Sequence, residues 1–120
     1  MGNVTLTRKH DWVEEYPGSI TVCDRKGIIL EMNRRSAESF RKQGGKKLIG
    51  QNLLDCHPEP ARSKLKRLMR REQTNVYTVK KGRVMKIVLQ TPWYKNNRYR
   101  GFVEVSVPIT GKIPNIVRKS

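Results

Sequence analysis

Acidic side chains are scarce in this sequence: ten Asp and Glu stand against 26 Lys and Arg over 120 residues, for a formal net charge of +16. Long apolar runs are missing too. No stretch approaches the roughly 18 apolar residues of a membrane span, and the N-terminal residues lack the apolar segment of a signal peptide, so a cytoplasmic location is expected. Gly2 follows Met1, but position 6 is Leu6 rather than Ser or Thr, which breaks a myristoylation motif. Cysteine is limited to Cys23 and Cys56, too few for a disulfide framework and consistent with two buried thiols in a reducing compartment. The inventory of Cys23, Cys56, His10 and His57 does not make a zinc site, because adjacent Cys56 and His57 rarely share one metal. Catalytic constellations are also wanting. The acids are scattered, and Gly44-Gly45-Lys46-Lys47 lacks the spacing of a phosphate-binding loop, so the chain is not expected to be an enzyme.

The apolar residues that are present fall in short runs separated by turn residues. At this length they suit a single domain with its own core. Asp11 suits the start of a short helix carrying Trp12, Val13 and Tyr16, ended by Pro17-Gly18. Ser19 to Cys23 alternates like a strand, Asp24 to Gly27 is a turn, and Ile28 to Met32 is the returning strand of a β-hairpin. Asn33 suits the N-cap of a helix bearing Ala37 and Phe40, which Gly44-Gly45 stops. Leu48 to Leu54 is an apolar connector with little periodicity. Pro58 and Pro60 suit the first turn of a second helix, about Glu59 to Gln73, with Ala61, Leu65, Leu68 and Met69 on one stripe. Three strands follow: 75–79, 84–93 and 99–109, with turns at Lys80 to Gly82 and Lys95 to Arg98. The order β-β-α-α-β-β-β predicts an α+β domain, a five-stranded antiparallel sheet with helices on one face. Tails are expected over 1–11 and 111–120, bracketing a domain over 12–110. A hollow between the sheet and the helices is the natural place for a small-molecule pocket.

Four stretches in this order resemble the PAS family. Pro17 to Gly27 resembles its opening hairpin. Ile29 to Asn33, followed by Ser36-Ala37, resembles the second strand running into an Asn-capped helix. Lys47 to Leu54 resembles its Leu-Ile-Gly connector, and Arg100 to Thr110 resembles its last strand. Asp55-Cys56-His57-Pro58 is similar to a subgroup of bacterial and archaeal PAS domains, some of them joined to hemerythrin-like modules. The resemblance implies a stand-alone sensory or signalling domain that binds a small ligand or cofactor, or that dimerises or engages a partner signalling protein. Two departures matter. Light-sensing flavin members have Cys directly after a Gly-x-Asn connector. Here Leu53 follows Asn52 and Cys56 lies three residues further on, so flavin photochemistry is not expected. Pro108 stands where the family often has Asp.

Within that frame the candidate pocket residues are His57, Leu65, Met69 and Trp93. His57 is the candidate axial ligand in an alternative reading as a haem-based gas or redox sensor. Its competing role is a ring bonded to a neighbouring backbone group near a helix start. Met69 is a second axial candidate, or a core methionine. Trp93, Tyr94 and Tyr99 lie beside Lys95, Arg98 and Arg100, an arrangement that stacks bases in single-strand binders or simply packs a hairpin. The cationic clusters are spread over helices and turns alike and supply no base-reading motif. They leave an acidic partner protein or non-specific nucleic acid as the second alternative.

Overall fold

The computed structural model describes residues 11–120; the expected tail over 1–11 lies outside them except for Asp11. Helix α1 (Asp11–Glu14) is a single turn that buries Val13, while Trp12 lies outside, edge-on to Tyr16 at 6.0 Å. Strands β1 (Ser19–Asp24) and β2 (Ile29–Met32) form the hairpin. Asp24 builds its turn, its carboxylate accepting from the amides of Lys26 and Ile28. Gly27 takes φ 94°, which favours glycine, and its missing Cβ leaves space for the Asn52 side chain.

Helix α2 (Arg34–Ser39) starts at the expected Asn33 cap. The 40–56 connector condenses into three 3₁₀ turns, because glycines at 44, 45 and 50 with positive φ keep reversing the chain. Helix α3 (Ala61–Arg71) begins later than the 59 expected from its prolines. Glu59 stays outside the helix and caps it, its carboxylate accepting from the amide and hydroxyl of Ser63. An acceptor at a helix N-terminus meets donors that have no intrahelical partner.

Strands β3 (Asn75–Lys81), β4 (Val84–Lys95) and β5 (Arg98–Ile109) complete one antiparallel sheet in the order β2-β1-β5-β4-β3. β4 runs two residues further around their shared turn than its apolar pattern indicated, and β5 one, since Asn96 and Asn97 both take positive φ and close a two-residue hairpin. Helix α3 packs Leu65, Leu68 and Met69 on Cys23 and Phe102 of the sheet, and a second cluster joins Ile29 and Met32 to Leu48. Residues 111–120 are exposed and carry no regular structure.

Candidate functional site

Alternation along the strands decides which side chains look at the helices. Cys23 and Phe102 are paired across β1 and β5 and lie under α3, so positions two residues away share that face. One register row on the face is polar: Asn75 pairs with Gln90, Gln90 with Glu104, and Glu104 with Thr21. Its side chains are linked. Asn75 Nδ2 donates to Gln90 Oε1 at 3.0 Å, and Gln90 Nε2 donates to Glu104 Oε2 at 2.8 Å. Thr21 shares a hydroxyl hydrogen bond with the fully buried Ser36 of α2. The Tyr77 hydroxyl, on the same side of β3, is held above its usual range by burial and then by the Glu104 charge.

Above this row lies a cavity of about 40 Å³. Thr21, Gln90 and Glu104 line it from the sheet, their polar groups bonded to Ser36 or to one another; Leu65 is its α3 wall, Leu48 and Leu53 form part of its rim, and the surface it presents is almost wholly apolar. Cys23 and Cys56 both reach it, and burial pushes the Cys23 thiol up to about 11, so that thiol is protonated and inert at neutral pH.

The expected site residues divide into two pairs. His57 and Leu65 line the cavity. His57 Nδ1 lies 2.8 Å from the carbonyl oxygen of Leu53 and donates to it, which ties the ring back to its own turn. Met69 and Trp93 do not line it. Met69 is buried between α3 and the sheet, one turn beyond Leu65. Trp93 is one residue out of phase with the cavity face, and its indole N–H donates to the carbonyl of Cys23 at 3.0 Å. Gly101 opposite Trp93 admits this close approach: a Cβ there would stand 1.9 Å from the same carbonyl oxygen. Gln90 and Glu104 escaped notice in the sequence because each is an isolated polar residue in an apolar strand; only the register makes them neighbours.

The cavity does not fit haem in this conformation. Sites for ligands of that size enclose about 300–1,000 Å³, many times the space here, and the ring of His57 is tied back to its own turn. Among the described residues no group of three or more His, Cys, Asp or Glu is placed to hold a metal ion, and no helix is long and apolar enough to cross a membrane.

The fold has many solved counterparts. The PAS domain of Bordetella pertussis BvgS superposes with a TM-score of 0.61 at 16% identity, covering 83% of this chain and 82% of that one. The PAS domain of the histidine kinase ThkA gives 0.60 at 16% identity, covering 75% and 98%. The Vibrio cholerae Aer2 receptor, described as a dual PAS-heme oxygen sensor, gives 0.56 at 20% identity, covering 78% and 95%. No curated protein sequence matches the chain. The sequence profile of the PAS fold matches residues 13–112, so this chain belongs to the PAS fold family.

Proposed function

We propose that the chain is a sensory module of a signalling protein, taking a small ligand into the cavity between the sheet and α3 and reporting it to a partner. The observation that carries this reading is the cavity: an almost wholly apolar space over Thr21, Gln90 and Glu104 of the sheet, closed on one side by a helix that meets the sheet through side-chain packing. Such a site selects by shape and apolar contact. At about 40 Å³ it admits a molecule of only a few heavy atoms as it stands, and anything larger must push α3 outward, with Leu65 and His57 as contact residues. A ligand wedged against Leu65 displaces α3, and the displacement passes through Leu68 and Met69 to Cys23 and Phe102 of the central strands.

The opposite sheet face suits the output. It carries Val76 and Leu89 exposed, with Val103, Val105 and Ile87 half-buried, a β-branched surface fit for a second copy or a partner signalling protein. The kinase and receptor homes of similar domains support a signalling role.

Native mass spectrometry of the purified protein, with and without a metabolite extract, tests the reading. A bound small molecule is expected on the wild type and is lost from Leu65→Phe, which fills the cavity. Size-exclusion chromatography with light scattering reads the association. A protein that neither takes up a ligand nor associates with itself or a partner overturns the proposal.

A further inference from the structure

A second hollow lies on the other side of α3, between that helix, the β1–β2 turn and the start of β5. It encloses about 220 Å³ and is rimmed by Arg25 and Lys26 of the turn and by Lys66 and Arg70 of α3. Lys66 and Arg70 are four residues apart and therefore neighbours on one helix face. Among the described residues none of these four cations has a carboxylate within ion-pair distance. The one acid at the rim, Glu72, accepts a hydrogen bond from the Tyr94 hydroxyl at 3.0 Å.

At the inner end stands Tyr99, whose hydroxyl is buried and has no hydrogen-bond partner. Leaving a buried hydroxyl unpaired is costly, so such a group calls for an explanation. Burial, with smaller contributions from Cys23 and Glu72, holds this phenol above its usual range, which keeps it a donor at neutral pH. A buried unused donor beneath four unpaired cations has the chemistry of an oxyanion site.

We propose that this hollow binds a phosphate group, free or as a phosphomonoester, with Arg25, Lys26, Lys66 and Arg70 supplying the countercharge and the Tyr99 hydroxyl, which has no exposed surface as it stands, turning outward to donate to one oxygen. The site is separate from the ligand cavity and does not depend on it. It also gives part of the +16 charge a local purpose. The four cations converge on one concave surface, whereas Lys80 and Lys81 of β3 lie outside it.

Phosphorus NMR and calorimetric titration of the purified protein with inorganic phosphate, and separately with glycerol phosphate, at fixed ionic strength set by chloride, test the assignment. Saturable binding of one equivalent is expected. The pair Lys66→Ala/Arg70→Ala should weaken it at least tenfold. Tyr99→Phe should weaken it roughly tenfold, the scale of one hydrogen bond to a charged group. The pair Lys80→Ala/Lys81→Ala should leave it unchanged. Binding of inorganic phosphate assigns the site to the free ion, and binding of glycerol phosphate alone assigns it to a phosphorylated organic ligand. The proposal is overturned if neither probe saturates, if the Lys80/Lys81 pair matters as much as the Lys66/Arg70 pair, or if Tyr99→Phe binds as tightly as wild type while keeping its melting temperature.

Discussion

The buried side-chain amide of Asn33 and the buried hydroxyl of the half-buried Tyr99 sit at opposite corners of this domain and face opposite circumstances. Asn33, between α1, β1 and α2, uses all of its hydrogen-bonding capacity. Its Oδ1 accepts from the amides of Ile20 and Ser36, and its Nδ2 donates to the carbonyls of Val13 and Gly18, all at 2.9–3.0 Å. Tyr99, between α3 and the β4–β5 hairpin, leaves its hydroxyl unused. The first corner is finished by its own residues: one amide stitches the N-terminal segment to the sheet and starts a helix. The second corner places four cations, none of them in an ion pair among the described residues, beside a donor that has no partner. A saturated polar group marks a place where the fold is being specified; an unsaturated one marks a place where it is being used.

The largest effect should come from breaking the saturated corner. Asn33→Ala strands two amides and two carbonyls at once, and a loss of about 3–5 kcal/mol is expected in urea denaturation, enough to unfold a marginal domain. A loss below about 1 kcal/mol would mean that water replaces the amide and that the two corners differ less than their geometry indicates.

Alkali should separate the corners next. Asn33 does not titrate, whereas the Cys23 thiol beneath α3 is pushed up to about 11 by burial. A folded-state value above the unfolded one means that the unfolded chain releases its proton first, so stability falls as pH rises. The loss sets in near the unfolded thiol's range, about pH 8.5–9, and is complete near pH 11, on the order of 2 kcal/mol. The raised phenol of Tyr99 acts with the same sign. Melting temperatures across this window should fall more steeply for wild type than for Cys23→Ala measured as its own series.

The smallest effect is the most telling. In phosphate-free buffer Tyr99→Phe removes a hydroxyl that has no partner, so stability should stay within about 1 kcal/mol of wild type or rise slightly. A clear destabilisation by thermal melting would reveal a bond that the hydroxyl makes within the folded chain, and the contrast with Asn33 would disappear.

Much of the framework was legible in the sequence. The hairpin from Ser19 to Met32 followed from alternation around Asp24 to Gly27, α2 from its Asn33 cap, and the packing stripe of α3 from the spacing of Leu65, Leu68 and Met69. Each rests on neighbours within a few residues. Less was legible where contacts span the chain. Trp93 was expected at the pocket with Met69, yet a strand's parity places Trp93 against the Cys23 carbonyl, and Met69, one turn along α3 from Leu65 on the same face, packs on the sheet beyond the cavity and lines the second hollow. His57 and Leu65 reach the cavity, but part of its lining comes from Glu104 and Gln90, 14 residues apart in the chain and paired across β4 and β5.

The sequence alone determined the periodicities, the caps and the turns, because those depend on local backbone sterics and on hydrogen bonds to near neighbours. It also determined the excess of positive charge. Tertiary structure decided what the polar residues are for. Strand register aligned Asn75, Gln90 and Glu104 in one row, and the packing of α3 against the β1–β2 turn gathered Arg25, Lys26, Lys66 and Arg70 around Tyr99. A charge or a donor acquires a role only from what lies within a few ångströms of it, and that distance is set by the closing of the sheet and its helices, not by separation along the chain.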